Sequence, residues 1–431
     1  MAAKPGLFEV LKKRGFIQDL SSEELFELAS RPLGVYLGFD PTADSLHLGN
    51  LVGIIALSWF QRYGHTPYAL IGGATGRIGD PSGKSLERPF LQEDLIEANT
   101  AGIKAFLEEI LLRNGDKNGP KPVCLNNNDW LKDVFLIDFL RDIGKHFRVS
   151  GMLAKESVKL RMETEEGISF TEFCYQLLQG YDFYHLFSEK QIVLQAGGSD
   201  QWGNITAGIE LIRRKKGASA YGFTFPLLTR SDGKKFGKSE KGAIWLSSAK
   251  LSHYEFYQYL YGVADADVVF LLKMLTFVPL ETIEEIEKQM GSSAYIVGSA
   301  QKLLASEVTR FVRGEAGLES ALKVTEKARP GEEAVLKAAE LEQIFSQMPH
   351  LELTYNEVVG QKLVDLLQKT RLTSSKSEGI RLIKNEGAYL NNQKVLSEDY
   401  LLQDKDLIEG RFIVLSKGKK NKLIIRLKKP A

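Results

Sequence analysis

The segment from residue 34 to residue 73 constrains the fold most, because a short apolar run, an amphipathic stretch and a second apolar run follow one another. The run 34–39 and the run that begins at Pro67 have the length and composition of buried strands. Between them, apolar residues recur at helical spacing. Strand–helix–strand is the opening of a doubly wound parallel sheet, which binds ligands at the carboxyl ends of its strands. The sequence therefore predicts an α/β fold with a site near His47 and Asp80.

The strand signal returns further along the chain, whereas residues from about 88 to 188 are predicted to form a mostly helical insert. Apolar residues of this insert recur at helical spacing, which predicts a stripe that faces a core more often than an interface: Trp130, Val134, Phe135, Phe139 and Leu140. We expect a Rossmann-like catalytic domain over residues 1–245 that contains the insert, an α-helical domain over 246–330, a linker over 331–352 and a small α+β domain over 353–431.

Two short polar segments have the residue types of adenylate chemistry. The first places His47 and Asn50 at the predicted start of a helix, just after Asp44 and Ser45, which are candidate caps. The second is the glycine-bearing loop 235–239, with two lysines and a hydroxyl. A polar helix N-terminus and a cationic loop suit a pentacovalent phosphorus and a departing pyrophosphate. Taken alone, the loop is also typical of a solvated charged turn.

The glycine-rich run over residues 72–85 invites comparison with a phosphate-binding loop. Such a loop needs four residues between its two glycines, and here Gly79 and Gly83 enclose three. The glycine spacing of a dinucleotide-binding turn is also missing. This excludes a phosphate-loop kinase and leaves a turn suited to close approach of a nucleotide or an amino acid.

Two further segments offer polar groups, each with a structural alternative. Tyr175, Gln179 and Asp182 share one helical face and suit an α-amino group and a phenol, but such a face is also typical of solvent exposure. Asp200 and Gln201, at a strand-to-helix turn, suit ribose hydroxyls or an ammonium group, while Asp200 is also well placed as a helix cap.

Charge and composition indicate the kind of partner and the compartment that suit this chain. The net charge of +1 hides a basic C-terminal part, because residues 371–431 contain 14 Lys and Arg against 7 Asp and Glu. Such a tail indicates a polyanionic partner or a solvated surface. The basic run 213–216 is likewise a helix end or a nucleic-acid contact. No apolar run approaches the roughly 20 residues of a membrane span, and two isolated cysteines favour a reduced, cytoplasmic setting.

Together these segments resemble the bacterial-type tyrosyl-tRNA synthetases over essentially the whole chain. The tetrapeptide that begins at His47 is similar to the first class I signature, HIGH, and the loop that begins at Lys235 is similar to the second, KMSKS. The segments 36–45, 79–84 and 198–204 are typical of the tyrosine branch. Residues 373–391 resemble the S-four ribosomal-protein-type RNA-binding fold, which accounts for the basic tail.

The resemblance implies a role for each matching residue. For L-tyrosine, it implies that Tyr36 and Asp182 hold the phenol, that Asp80, Tyr175 and Gln179 hold the α-ammonium group, and that Gln201 faces the carboxylate. The residues implied at the phosphates are Thr42, His47, Lys84, Arg88, Lys235, Lys238 and Ser239. Those implied at the remainder of ATP are Asp40, Asn50, Gly198 and Asp200. Contacts to tRNA are expected from Arg213, Arg214, Lys376 and Arg381.

The resemblance also implies ATP with Mg²⁺ as substrate, no protein-held metal, and a homodimer formed through the insert near residues 130–161. Two positions depart from the family pattern: Asn50 replaces the second histidine of HIGH, and Leu37 cannot donate a hydrogen bond to a ribose. Two alternatives are a tryptophan-specific synthetase, which Tyr36 and Asp182 disfavour, and an inactive RNA-binding relative, which intact His47 and Lys238 disfavour.

Overall fold

The structure is a computed structural model that describes residues 5–82, 91–165, 167–239, 242–293, 295–327, 337–345, 348–418 and 421–428. The chain divides into two compact units. The first comprises Met1–Ser247 and Val269–Tyr295, and the second comprises Ser248–Val268 and Ile296–Ala431. None of the helices in the described ranges combines the length and the apolar character that a bilayer crossing needs.

The strands are β1 (Asp19–Leu20), β2 (Gly34–Phe39), β3 (Thr66–Ile71), β4 (Val123–Asn126), β5 (Leu194–Gly198), β6 (Tyr221–Phe225), β7 (Lys238–Ser239), β8 (Gly242–Ala243), β9 (His350–Leu353), β10 (Ala388–Leu390), β11 (Gln393–Lys394), β12 (Phe412–Lys417) and β13 (Asn421–Leu427). The helices are α1 (Leu7–Arg14), α2 (Glu24–Leu28), α3 (Leu48–Arg62), α4 (Glu93–Asn114), α5 (Asn128–Leu131), α6 (Leu136–Asp142), α7 (Val149–Leu153), α8 (Glu156–Met162), α9 (Phe170–Lys190), α10 (Trp202–Lys216), α11 (His253–Tyr261), α12 (Asp265–Leu275), α13 (Leu280–Met290), α14 (Ser299–Lys327), α15 (Ala338–Phe345), α16 (Leu363–Lys369) and α17 (Lys376–Lys384).

A twisted sheet organises the first unit, in the order β1-β6-β5-β2-β3-β4. Strands β2 to β6 run parallel, and β1 pairs antiparallel with β6 at the edge. The chain proceeds outward from β2 through β3 to β4, then returns to the other side of β2 as β5 and β6. The strand order therefore reverses between β2 and β5, and the crevice at their carboxyl ends is where an open α/β sheet binds its ligands.

The strands predicted near residues 34–39, 67–73, 191–198 and 223–228 are confirmed as β2, β3, β5 and β6, and the helix predicted to about residue 63 is α3. Strands β1 and β4 were not predicted. Strand β4 is only four residues long and lies inside the insert, where the surrounding sequence pattern is helical.

The predicted core-facing stripe of the insert is wrong. Phe135 is 76% exposed and Leu140 is 50% exposed, so neither lies in a core of this chain. Their neighbours Leu136 and Ile137 are also exposed, at 69% and 70%. The stripe does not form one helical face either, because the backbone interrupts the helix between α5 and α6.

The second unit contains the order β11-β10-β12-β13-β9 as a five-stranded sheet with helices on both faces. Along β12, Phe412 and Val414 point to a core that includes Leu341 and Phe345 of α15. The intervening residue Ile413 points to the opposite core, which includes residues of α16 and α17. This alternation is the period of two that a strand covered on both faces requires. Residues 331–352, predicted as a linker, thus include α15 and the start of β9, whose apolar side chains help to cover this sheet.

Candidate active site

The first residues of α3 form a reciprocal cap around His47. Its backbone N–H donates to Asn50 Oδ1 at 3.0 Å, while its Nδ1 accepts from the Gly49 N–H at 3.1 Å. A Cβ at position 49 would lie 2.9 Å from the imidazole, so glycine permits this close approach. His47 is therefore the N-cap of the helix, and the expectation that Asp44 or Ser45 caps it is wrong. Because Nδ1 accepts, the proton of the neutral imidazole is on Nε2.

The second polar segment packs directly on this helix start, although 187 residues separate His47 from Lys235. The Leu48 N–H donates to the Ile244 carbonyl at 2.8 Å, and the Leu246 N–H donates to the Leu46 carbonyl at 2.8 Å. Gly237 has φ +88°, and a Cβ there would lie 3.1 Å from Leu48 Cβ. The hairpin β7–β8 that carries Lys238 is thus anchored to α3 at its base.

The cationic groups predicted at the phosphates are only partly described. Lys235 and Lys238 form no ion pair with another residue of the described ranges, and the Lys235 ammonium group acts electrostatically on Asp200. Lys84, Arg88 and the side chain of Ser239 lie outside the described part of the chain. Thr42 is exposed just after β2, and its N–H donates to the Asp40 carbonyl at 2.9 Å.

A cluster of buried polar side chains lies between β2 and α9. Asp182 is 2% exposed and accepts hydrogen bonds from Asn127 Nδ2 at 2.9 Å and from Trp130 Nε1 at 2.8 Å. Burial raises the pKa of Asp182 to about 7, although these two donors act in the opposite direction. Tyr36 is 1% exposed, and its hydroxyl is buried without a hydrogen-bond partner among the described residues. Burial and the nearby Asp182 carboxylate raise the pKa of Tyr36.

A network of amides surrounds a second buried carboxylate, Asp80. Gln201 Nε2 donates to Asp80 Oδ2 at 2.6 Å, and the Ser82 N–H donates to Oδ1 at 3.0 Å. Asn204 Nδ2 donates to Gln179 Oε1 at 3.0 Å and lies 3.4 Å from Asp80 Oδ1. No basic side chain of the described ranges forms an ion pair with Asp80. A buried carboxylate that is surrounded by amides and lacks a cation fits an ammonium ligand.

Asp40 links the end of β2 to α9. Its Oδ2 accepts from the Tyr175 hydroxyl at 2.9 Å, and its Oδ1 accepts from the Thr75 hydroxyl at 3.0 Å. Burial, followed by the Asp40 and Asp80 carboxylates, raises the pKa of Tyr175, which therefore stays a neutral phenol. Since the Tyr175 O–H donates to Asp40, its oxygen lone pairs remain able to accept from a ligand. Asp40 was predicted at ATP, and in this structure it also orients Tyr175.

The turn after β5 adds further polar groups beside Asp80. Gly198 ends the strand, and Asp200 follows within a single tight turn before α10. Burial and the Asp80 carboxylate raise the pKa of Asp200, while the Lys235 ammonium group lowers it. Gln201, and not Asp200, is the N-cap residue of α10, so the alternative of a capping Asp200 is wrong.

Of the residues predicted at tRNA, two lie in the first unit and two in the second. Arg213 and Arg214 end α10, which is 15 residues and so about 20 Å long, and both pair with Glu210. In the second unit, Lys376 pairs with Asp365 at 2.7 Å. Arg381 is exposed and forms no ion pair with another described residue.

Sequence reasoning missed four polar residues of the site: Thr75, Asn127, Trp130 and Asn204. Asn127 joins Thr75 to Asp182, because its Nδ2 donates both to Thr75 Oγ1 and to Asp182 Oδ2, each at 2.9 Å. It follows β4 at the same carboxyl edge as the other site residues. Prediction of β4 would have supplied the signal for Asn127, and for Trp130 three residues later.

Comparisons with known proteins match this architecture. The family of class I tRNA synthetases for tryptophan and tyrosine matches residues 28–328, and the SYY-like C-terminal domain of tyrosine–tRNA ligases matches residues 340–425. The tyrosine–tRNA ligase of Protochlamydia amoebophila is 55% identical over 98% of this chain and 99% of its own length. The chloroplastic/mitochondrial tyrosine–tRNA ligase of Arabidopsis thaliana is 52% identical over 98% of this chain and 84% of its own length.

Solved structures agree with the sequence relatives. The C-terminally truncated mitochondrial tyrosyl-tRNA synthetase of Aspergillus nidulans superposes with a TM-score of 0.68 at 30% identity, over 76% of this chain and 95% of its own length. Tryptophanyl-tRNA synthetase of Plasmodium falciparum shares the fold alone, with a TM-score of 0.52 at 11% identity. Because the class I family covers most of the chain and tyrosine-specific relatives cover nearly all of it, the chain belongs to the tyrosine–tRNA ligases of the class I tRNA synthetase family.

Proposed function

We propose that the pocket between β2 and α9 holds the side chain of L-tyrosine, with its phenol between Tyr36 and Asp182. The observation that carries this proposal is the buried, unpartnered Tyr36 hydroxyl beside a buried carboxylate. A substrate phenol donates to Asp182 and accepts from the Tyr36 hydroxyl. The buried hydroxyl of Tyr36 thereby gains a hydrogen-bond partner. Phenylalanine leaves the Tyr36 hydroxyl unpaired, at a cost of about 1–3 kcal/mol for a buried polar group, and offers no donor to Asp182.

The α-amino acid part of tyrosine extends towards the carboxyl edge of the sheet. The ammonium group binds Asp80, the Tyr175 oxygen and Gln179, and Gln201 faces the carboxylate. Support comes from the lack of any basic partner for Asp80 among the described residues and from the way Asp40 holds the Tyr175 hydroxyl. This arrangement directs the carboxylate of the substrate towards the start of α3.

Mg²⁺-bound ATP is the second substrate. A carboxylate oxygen of tyrosine attacks the α-phosphorus in line, a P–O bond to the acyl group forms, and the bond to pyrophosphate breaks. The carboxylate is already ionised, so this step needs no general base. His47 and Lys238 stabilise negative charge that grows on the phosphates, because both motifs meet at the start of α3. The other residues proposed at the phosphates are Thr42, Lys84, Arg88, Lys235 and Ser239.

The remainder of ATP is proposed to contact Asp40, Asn50, Gly198 and Asp200. Mg²⁺ is proposed to be bound by the ATP phosphates. In the second step, a terminal ribose hydroxyl of tRNA attacks the acyl carbonyl, and AMP leaves. The enzyme thereby charges its tRNA with tyrosine.

Amino-acid-dependent exchange of pyrophosphate into ATP tests the substrate assignment. We expect exchange with tyrosine alone among the twenty amino acids. Tyr36→Phe should raise the KM for tyrosine about 2- to 13-fold, the loss of one hydrogen bond, with kcat nearly unchanged. Tyr254→Phe, the same deletion on a buried tyrosine of the second unit, is the control. Exchange driven by tryptophan, or equal effects of the two variants, would contradict the assignment.

We also propose that the exposed apolar residues of the insert are covered by a second copy of this chain. Residues that support this interface are Phe135, Leu136, Ile137, Leu140, Val149 and Leu160, each half-exposed or more. A contiguous apolar segment of this kind indicates an interface. Light scattering should give a dimer mass, and Ile137→Asp should give a monomer, whereas Leu396→Asp on the second unit should not.

The second unit is proposed to bind tRNA through Lys376 and Arg381, and the end of α10 through Arg213 and Arg214. Of these, Arg381 is the strongest candidate, because its guanidinium is exposed and has no carboxylate partner among the described residues. Arg381→Ala should weaken tRNA charging and its salt dependence but leave pyrophosphate exchange unchanged.

A reducing compartment such as the cytoplasm is proposed from the free cysteines Cys124 and Cys174, although the Arabidopsis relative is named for organelles.

A further inference from the structure

The indole of Trp130, which donates to Asp182, lies face to face with the imidazole of His185. The two ring centroids are 4.4 Å apart and the ring planes differ by 16°. His185 is on α9, three residues after Asp182, and so lies on the same side of that helix one turn further on. Both rings are half-buried.

The backbone around Trp130 does little to fix its side chain. Helix α5 spans only Asn128–Leu131, and one-turn helices have little stability of their own. The direction of an indole N–H depends on the plane of the whole ring, so a neighbour that packs flat against that plane determines where the N–H points. His185 is that neighbour.

The imidazole of His185 has no other function in the described structure. It forms no hydrogen bond with another described residue, and its second ring neighbour, Tyr181, is more distant at 6.4 Å between centroids. Burial lowers the pKa of His185, so the ring is neutral near pH 7 and stacks as a flat aromatic group.

From this geometry we infer that His185 is a positioning residue for phenol recognition, acting through the Trp130 indole on the Asp182 carboxylate. The inference rests on the proposed function, in which Asp182 accepts the substrate phenol. His185 contacts neither the substrate nor the reacting atoms. Trp130 holds Oδ1 of Asp182 and Asn127 holds Oδ2, so the two donors together set the plane of the carboxylate.

Loss of the stack leaves the indole free to turn, and the carboxylate then loses one of its two orienting donors. Tyrosine binding weakens, while the phosphate chemistry at His47 and Lys238 continues. The effect is a KM effect for tyrosine, with the KM for ATP and kcat unchanged. Discrimination against phenylalanine falls for the same reason, because only the hydroxyl of tyrosine forms a hydrogen bond with the Asp182 carboxylate.

The test compares two substitutions of similar size in pyrophosphate exchange. His185→Leu keeps volume and helix propensity but removes the flat ring, and should raise the KM for tyrosine up to about ten-fold, with kcat within about two-fold. His185→Phe restores a flat ring and should return the KM to within about two-fold of the wild-type value. His146→Leu, at another half-buried histidine of the first unit, is the matched control and should change neither value.

A double-mutant cycle identifies the route. In a Trp130→Phe background, which has no indole N–H to aim, His185→Leu should have no further effect on the KM for tyrosine. Equal effects of His185→Leu and His185→Phe, or additivity with Trp130→Phe, would overturn the inference. Asp182→Asn separates it from the proposed function. If Asp182→Asn leaves the KM for tyrosine unchanged, the phenol assignment fails, and if it raises the KM while His185→Leu does not, this inference alone fails.

Discussion

Gly237→Ala tests whether contact between the two signature segments matters for catalysis. Gly237 adopts φ +88°, and an added Cβ would lie 3.1 Å from Leu48 Cβ and 3.3 Å from the Gly49 nitrogen. A left-handed conformation costs an L-residue about 1–2 kcal/mol, and the contact cannot be relieved by a flexible side chain because both neighbours belong to the start of α3. The loop that carries Lys235 and Lys238 must therefore shift away from His47.

We expect the rate of tyrosyl-adenylate formation to fall about 5- to 30-fold, which corresponds to 1–2 kcal/mol of lost transition-state stabilisation. Tyrosine affinity should be unchanged, because the pocket of Tyr36 and Asp182 does not contact this loop. The assay is single-turnover formation of the adenylate, with equilibrium dialysis of tyrosine for affinity.

Gly233→Ala is the matched control. Gly233 lies in the preceding turn with φ +79°, so an alanine there has the same backbone strain, but its Cβ would meet nothing within 4 Å. The control should reduce stability slightly and leave adenylate formation close to wild type. Equal rate losses in the two variants would refute the role of the contact, and so would a loss of tyrosine affinity in Gly237→Ala at an unchanged rate.

Three further predictions concern charge and capping. Burial raises the pKa of Asp182 to about 7 from its usual 3.8. The stability that the protonated Asp182 contributes to the fold is therefore full below pH 3.8 and is lost as the pH rises through 7. Urea denaturation should show this decline in the free energy of unfolding for the wild type and not for Asp182→Asn. Tyrosine affinity should change in the opposite direction, improving through pH 7 as Asp182 ionises. Arg161→Met should lower the free energy of unfolding by about 3–5 kcal/mol, because it leaves the buried Glu172 carboxylate without its ion-pair partner. The double variant Arg161→Met with Glu172→Leu should recover most of that loss. Asn50→Ala should cost about 1 kcal/mol of stability, because it removes the hydrogen bond that Asn50 contributes to the reciprocal cap of α3. Asn50→Asp should keep that bond but slow adenylate formation, since a carboxylate offers no donor to ATP.

The buried pair Arg161–Glu172 predicts a connection between folding stability and tyrosine binding in the first unit. Glu172 lies in the first turn of α9, and Arg161 also donates to the Gly167 carbonyl in the preceding loop at 3.0 Å. The pair thereby fixes the start of the helix that carries Tyr175 and Asp182. We expect the single substitution to weaken tyrosine binding as well as folding.

The sequence alone determined the elements whose signal is local. The apolar runs at β2 and β3 and the helical period of α3 predicted a parallel α/β sheet, because a strand or helix of ordinary length shows its own period in its own residues. The short β4 was missed for the same reason, since four residues carry almost no period and their place is decided by pairing with β3.

The sequence also singled out His47, Lys238, Tyr36 and Asp182, because their motifs are specific when they occur together. Their catalytic and binding roles remain predictions. Only the tertiary structure supplied the neighbours that make such roles physically possible. It placed Gly237 on the start of α3, Tyr175 on Asp40, and Asn127 and Trp130 on Asp182. Each of these contacts joins residues that are distant along the chain, and spacing in the sequence gives no measure of such a distance.

The exposed insert also separates what the sequence determines from what the fold determines. Periodic apolar residues near Phe135 show that this segment needs an apolar partner, but a period cannot identify the partner. The fold decided that the partner is not the core of this chain, because the insert projects Phe135 and Ile137 into solvent. Amino-acid type thus determined which residues prefer burial or charge. The packing of distant segments determined which of those preferences are satisfied within the described structure and which are not.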